Sequence, residues 1–126
     1  MDIERARESL RAAQLCVQEG LVNSAASRAY YAMFQAAQVA MAAAGSSQRE
    51  WSHQGLQASF VTELIHRRKM YPAVFRDYLS HSLGVRRAAD YGLAGVSRKI
   101  AQRSVHRAAS FVAAVEEKMR HETPSE

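Results

Sequence analysis

The sequence has few of the residues that cross-link a small domain or break its helices. It has one cysteine, Cys16, and two prolines among 126 residues. A single cysteine excludes an internal disulfide and is typical of the reducing cytoplasm, where we expect the protein to be located. Free cysteine usually packs as a small hydrophobe, so Cys16 needs no reactive role. A chain of this length has room for one domain with a core of its own.

Long hydrophobic runs are also missing. The most apolar stretch, Val39 to Ala44, is far too short to span a membrane. The first eight residues include Asp2, Glu4 and Glu8, where a secretory signal would be basic and then apolar. We therefore expect neither a membrane segment nor export.

Several motifs of enzymes and metal proteins do not occur in the sequence. It has no glycine-rich phosphate loop, no paired-cysteine zinc spacing and no His-Glu-x-x-His. Its five histidines are scattered, and a metal site would need further ligands converging on one of them. The sequence therefore predicts no metal site and no cofactor.

Apolar residues recur at helical spacing along most of the chain, beginning with two long segments. The first predicted helix has Asp2 as a cap and Gly20 as its stop. The second follows Asn23 or Ser24 and runs to about Gly45. Its many alanines would allow another helix to approach closely.

Three further helices are predicted in the second half. Ser52 is the expected cap of a third helix that ends in the basic run from His66 to Lys69. Pro72 is expected in the first turn of a fourth helix, which runs to Tyr91. Ser97 is the expected cap of a fifth helix.

No segment has the sustained alternation of a strand, and no repeat period occurs. The predicted fold is therefore all-α, an antiparallel bundle of four to five helices. We expect a single domain over residues 1–121 and a frayed C-terminal tail over residues 122–126.

The net charge of +5 is unevenly distributed. From Arg67 to Arg107 the chain has ten Lys or Arg residues against only Asp77 and Asp90. Such a surplus favours an acidic partner, either nucleic acid or an acidic protein. A basic, solvated helix face would have the same composition.

Three polar clusters are candidates for a site. In the second helix, Tyr30 continues the core stripe, whereas Arg28, Tyr31 and Gln35 share another face. The second cluster contains His53, close to the cap of the third helix. The third runs from Arg86 to Tyr91 at the end of the fourth helix. There, Arg86 and Asp90 are one turn apart, and they form either a structural tether or a polar site.

In order and spacing, these segments resemble the compact prokaryotic HEPN proteins (higher eukaryotes and prokaryotes nucleotide-binding). The resemblance rests on Arg28 to Phe34, Ser52 to Gly55, Arg86 to Tyr91 and the closing segment Ala108 to Val112. It covers roughly Ala6 to Val115. Each motif is weak alone, but together, in register over a helical chain, they are fairly specific.

The resemblance implies a helical bundle that pairs into a homodimer. It also implies a gene beside that of a minimal nucleotidyltransferase, the two proteins forming a toxin–antitoxin pair. Many HEPN proteins are metal-independent ribonucleases, whose signature is an arginine followed after four to six residues by a histidine. In that chemistry the RNA 2′-hydroxyl attacks the adjacent phosphate, histidine does the acid–base work and arginine stabilises the phosphorane.

The sequence departs from this signature at the matching helix end. Arg86 is followed after four residues by Tyr91, where the nuclease has histidine. A phenol with its ordinary pKa near ~10 is a poor base at neutral pH. A literal match to the signature, Arg76 followed after four residues by His81, lies about ten residues before the expected place. The sequence therefore leaves open whether the protein is an enzyme.

Our hypothesis is a HEPN-type component of a two-gene system that works with a nucleotidyltransferase partner and binds nucleotide or RNA phosphate. One alternative is a metal-independent ribonuclease toxin, and another is a non-catalytic, partner-binding subunit. If there is catalysis, its candidate residues are Arg86, Asp90 and Tyr91. The candidate nucleotide- or RNA-binding residues are Arg28, Tyr31, His53 and Arg87.

Overall fold

Helices joined by short connections make up the chain over the residues that the computed structural model describes, 3–46 and 48–122. The elements are α1 (Glu4–Gln18), α2 (Val22–Ala43), α3 (His53–Ser59), a π-helical continuation of α3 (Phe60–Arg67), α4 (Val74–Tyr91) and α5 (Arg98–Glu122). The predicted all-α bundle is confirmed. Within the described residues, none of the helices combines the length and apolar character needed to cross a membrane.

Helix α2 lies at the centre of the bundle and packs against α1, α4 and α5. Its alanines at positions 25, 29, 32, 36 and 37 are completely buried. Small side chains let neighbouring helices approach closely. The small-residue face of α2 is therefore used inside one bundle, which is how the sequence accommodates three neighbours around one helix.

The N-terminal helices begin and end close to the predicted positions. Gly20 adopts a left-handed φ of +77° directly after α1, as a glycine stop requires. Helix α2 begins at Val22, slightly before the predicted caps. Asn23 does not cap it, because its side-chain oxygen accepts a hydrogen bond from the Val96 N–H at 2.9 Å. The predicted cap of α1, Asp2, lies outside the described residues.

The third helix differs most from the prediction. Ser52 caps α3 as expected, its Oγ accepting from the Gly55 N–H at 2.9 Å. From Phe60 onward the helix widens, which brings residues five apart onto one side. Phe60 and Ile65 are buried together. Leu64, four residues after Phe60, is buried as well, so the wider turn places both Leu64 and Ile65 on the buried side with Phe60.

The last two helices have one shifted start. Pro72 precedes α4 rather than lying in its first turn, and its carbonyl accepts from the Phe75 N–H at 3.0 Å. Ser97 Oγ accepts from the Ile100 N–H at 3.2 Å, as predicted for a cap of α5. Helix α5 reaches Glu122. The remainder of the predicted tail, residues 123–126, lies outside the described residues.

Candidate functional site

Four side chains from α2 and α4 meet in one group, here called the Arg86 cluster: Arg28, Tyr31, Arg86 and Asp90. Arg86 donates from Nε to Asp90 Oδ2 at 3.0 Å and from Nη2 to the Tyr31 hydroxyl at 3.0 Å. The side chain of Arg86 is only 16% exposed. One turn of α4 and one residue of α2 therefore fix the orientation of this guanidinium group.

Two cations of the cluster share one aromatic ring. The guanidinium carbon of Arg28 lies 5.1 Å from the centroid of the Tyr31 ring, and that of Arg86 lies 5.2 Å from the same centroid. Both distances are within the range of cation–π attraction. Asp90 is the carboxylate bonded to this group. Two guanidinium groups against one carboxylate leave the cluster with a positive charge, which favours an anion.

An open cavity of about 480 Å³ lies beside these residues, between the start of α2 and the end of α4. Its lining consists of Asn23, Ser24, Ser27, Arg28, Ala89, Asp90 and Tyr91. The walls offer hydroxyl, amide and guanidinium groups, which are donors suited to phosphate oxygens. Arg86 does not line this cavity itself; its partner Asp90 and its neighbour Arg28 do, and we refer to the cavity as the Arg86 pocket.

The remaining predicted residues of α4 lie at the edge of the cluster. Tyr91 is the last residue of the helix, lines the pocket and is 75% exposed. Arg87 is exposed, and its charge acts on the nearby pair formed by Tyr30 and His53. Both residues therefore lie next to the Arg86 cluster without a hydrogen bond that fixes them to it.

His53 is connected to the cluster through Tyr30. The Tyr30 hydroxyl lies 2.5 Å from His53 Nδ1. The imidazole ring forms T-shaped contacts with the Tyr30 and Phe34 rings, at centroid distances of 5.3 and 5.0 Å. The Arg86 guanidinium in turn lies 5.9 Å from the centroid of Tyr30. The four groups form a continuous layer from α3 across α2 to α4.

The environment of this pair fixes its protonation. Burial raises the pKa of Tyr30 above its ordinary value, against the opposing charge of Arg86. Burial, and then the charges of Arg86 and Arg87, lower the pKa of His53. Both groups are therefore neutral at pH 7. The Tyr30 hydroxyl and His53 Nδ1 share one hydrogen bond, and the tautomer of the neutral imidazole sets which of the two groups donates.

Two residues of this region have roles that the sequence does not indicate. The sequence places Tyr30 only in the core stripe, although its hydroxyl is hydrogen-bonded to His53. Asn23 has the sequence context of a helix cap, although it ties the α4–α5 loop to the pocket wall. Gly95 in that loop has a φ of +69°, and a Cβ there would lie 2.6 Å from Asn23 Oδ1.

Two other candidates from the sequence lie away from the cluster. Gln35 is engaged with α1, where its side-chain amide is 2.7 Å from Ser9 Oγ. Arg76 and His81 are both exposed on α4, and Arg76 lies 3.8 Å from its neighbour Asp77. Five residues along an α-helix rotate a side chain by roughly 140° from the first position, so Arg76 and His81 point in different directions.

The part of the chain that the structure describes contains no group of three His, Cys, Asp or Glu side chains placed to hold a metal ion.

Comparison with known proteins identifies the family. The model of the HEPN domain matches residues 2–118 of the 126-residue chain. The chain belongs to the HEPN domain family. No curated protein matches it. The HEPN match includes all of the Arg86 cluster, the Arg86 pocket and His53, so the whole candidate site lies within the HEPN domain.

Proposed function

We propose that this HEPN protein binds the phosphate of a nucleotide or of RNA at the Arg86 cluster, as one component of a toxin–antitoxin-like pair with a minimal nucleotidyltransferase. The observation that carries the proposal is the double anchoring of Arg86 by Asp90 and Tyr31 beside an open, polar pocket. A guanidinium group held in one orientation loses little freedom when it binds a phosphate.

The remaining N–H donors of the cluster support an anionic ligand. A guanidinium group has five N–H donors, and Arg86 uses two of them for Asp90 and Tyr31. Arg28 adds a second guanidinium group, exposed on the pocket wall. Paired guanidinium donors match the geometry of phosphate oxygens and form charge-assisted hydrogen bonds.

Binding is better supported than cleavage. The position that follows Arg86 after four residues is the phenol of Tyr91, where the family's nuclease signature has an imidazole. The imidazole nearest to the cluster belongs to His53, whose Nδ1 is already engaged in a hydrogen bond with the Tyr30 hydroxyl. A general base needs a free lone pair at the proton that it removes. We therefore assign phosphate binding to Arg28 and Arg86, and no base to the site.

The experiment for this function uses purified protein with AMP, and with labelled RNA in the absence of added metal. The wild type should bind both ligands and cleave the RNA slowly or not at all. Arg86→Gln should lower the affinity for AMP by about tenfold or more, since charge-assisted hydrogen bonds contribute about 1.5–3 kcal/mol each. Arg76→Gln removes the same charge from the same helix and is the matched control.

Two results would overturn the proposal. If the wild type and Arg86→Gln bind AMP with equal affinity, the binding site of AMP is not the Arg86 cluster. Rapid metal-independent RNA cleavage that is lost in His81→Ala, but not in Arg86→Gln, would instead support the ribonuclease alternative with Arg76 and His81 as its site.

Assembly is a separate part of the proposal. We propose a homodimer, but the alanine face of α2 does not support it, because that face is buried within one bundle. The support comes from large apolar side chains that are exposed at or within two residues of the pocket lining in the chain, namely Leu21, Tyr91 and Leu93. Exposed apolar surface that forms a patch is typical of protein interfaces. Leu93→Ser should then weaken a dimer measured by light scattering, and a wild-type monomer at high micromolar concentration would contradict it.

The partner is tested by co-expression. A gene for a small nucleotidyltransferase beside that of this protein, and co-purification of the two products, are the expected results. If the neighbouring gene and the co-purification are both absent while the protein still binds AMP, the two-gene system is contradicted and the Arg86 site is not.

A further inference from the structure

A second basic surface lies on α5, away from the Arg86 pocket. We propose that it binds the backbone of single-stranded nucleic acid. We call it the α5 basic face and define it by Lys99, Gln102, Arg103, His106 and Arg107 of α5 together with Tyr78 of α4. These residues line an open cavity of about 460 Å³. None of them lines the Arg86 pocket, so the two sites can be tested separately.

The cations of this face form a regular row. Lys99, Arg103 and Arg107 are four residues apart, which places them on one side of the helix at intervals of roughly 6 Å along its axis. Lys99 and Arg103 are exposed, and Arg107 is half-buried. A row of positive charges along one helix is a linear feature, which suits a linear polyanion.

Within the described part of the chain, no carboxylate forms an ion pair with these cations. The sequence contains no Asp or Glu from Arg98 to Val115. Among residues 3–46 and 48–122, no salt bridge within 4.0 Å involves Lys99, Arg103 or Arg107. The nearest acid in sequence to Tyr78 is Asp77, and it lies 3.8 Å from Arg76 instead. The charge of the face is therefore available to a ligand.

The side chains of Tyr78 and Gln102 favour nucleic acid over an acidic protein. The half-buried Tyr78 ring lines the cavity and is held by stacking on Phe75, at a centroid distance of 5.2 Å. Gln102 adds an amide with both donor and acceptor groups among the cations. Cations that follow a backbone, combined with an aromatic ring for base stacking, are the usual elements of single-strand binding. An acidic peptide would use the cations and leave the ring without a role.

The test is a titration of fluorescent oligouridylate and oligothymidylate at several salt concentrations. The double variant Lys99→Gln/Arg103→Gln is compared with Arg5→Gln/Arg11→Gln, which removes two exposed cations from α1. All four side chains are exposed, so both variants should fold, which circular dichroism checks. The α5 variant should bind the two oligonucleotides about tenfold more weakly at low salt. The plot of the logarithm of its affinity against the logarithm of the salt concentration should become shallower by ~0.7 for each phosphate that the face no longer neutralises.

The outcomes separate this surface from its alternatives and from the Arg86 site. Equal losses of affinity in the α5 and α1 variants would reduce the effect to net charge and overturn the proposal. Binding of oligoglutamate as tight as that of the oligonucleotides, and equally sensitive to the α5 variant, would replace nucleic acid with an acidic protein. AMP binding that is unchanged in the α5 variant but weakened by about tenfold or more in Arg86→Gln is expected, whereas an equal loss in both variants would merge the two sites.

Discussion

The Arg86 cluster and the α5 basic face both place arginines on a helix surface, yet they differ in how those arginines are held. Arg86 is mostly buried and bonded to a carboxylate and a phenol. Arg103 is exposed and has no ion pair within the described residues. The first arrangement fixes the orientation of one guanidinium group, and the second supplies charge without fixing a geometry. Identical residue types are therefore anchored in one region and without an ion pair among the described residues in the other.

The largest expected effect on stability comes from removing the anchored arginine. Arg86→Gln should lower the free energy of unfolding by about 1–3 kcal/mol, because Asp90 and the Tyr31 hydroxyl lose a charged partner. Arg103→Gln on the α5 basic face should change it by no more than ~0.5 kcal/mol. Urea unfolding of both variants measures the difference. Equal effects would mean that anchoring contributes nothing.

A smaller effect is expected from the phenol that holds Arg86. Tyr31→Phe keeps the ring between Arg28 and Arg86 but removes the hydroxyl that accepts from Arg86. We expect the free energy of unfolding to fall by about 0.5–1.5 kcal/mol, the usual range for one hydrogen bond. Tyr91→Phe is the control, since that side chain is exposed. If both variants are destabilised by the same amount, the hydroxyl of Tyr31 is not an anchor.

His53, which is connected to the Arg86 cluster through Tyr30, should make the free energy of unfolding depend on pH. Because burial and then the charges of Arg86 and Arg87 lower the pKa of His53, the unfolded chain takes up a proton there before the folded chain does. Stability should therefore fall as the pH falls below about 6.5.

Urea midpoints between about pH 7.5 and 5.5 measure this decrease. The decrease should be smaller in His53→Gln than in the wild type. His106→Gln, which removes an exposed imidazole from α5, should keep the wild-type dependence. A wild-type slope in His53→Gln would show that another group causes the titration.

The smallest effect on stability is expected from the second cation of the cluster. Arg28 is exposed, and its attraction to the Tyr31 ring is opposed by the like charge of Arg86. Arg28→Gln should change the unfolding free energy by no more than ~0.5 kcal/mol. Its affinity for AMP should nevertheless fall several-fold, because glutamine cannot form the charge-assisted hydrogen bond to phosphate. Unchanged affinity in calorimetry would exclude Arg28 from the site.

The fold followed from the sequence because the signals that define it are local. Glycine after α1, serine before α3 and α5, and apolar residues at helical spacing each act within a few residues of the chain. The predictions were wrong at Asn23 and Pro72, where a residue suited to a helix start was used differently. The Asn23–Val96 hydrogen bond joins residues 73 apart in the chain. A pattern within a few neighbouring residues cannot predict a contact at that sequence separation.

The candidate site could be predicted only in part. The pairing of Arg86 with Asp90 is a one-turn contact on a single helix, and the sequence indicates it directly. The contacts of Arg86 with Tyr31, and of His53 with Tyr30, depend on how α2, α3 and α4 pack. Helical spacing places Tyr30 and Tyr31 on different faces of α2, but only packing shows that one hydroxyl meets His53 and the other meets Arg86.

The most direct test of phosphate binding at the Arg86 cluster follows arginine side-chain Nε resonances by NMR during a titration with AMP. We predict that the Arg86 and Arg28 signals shift together and saturate at one affinity, while that of Arg103 shifts little. The Tyr31→Phe variant should weaken this response. Shifts confined to Arg103 and Arg107, with Arg86 unmoved, would contradict this prediction and assign the phosphate to the α5 basic face.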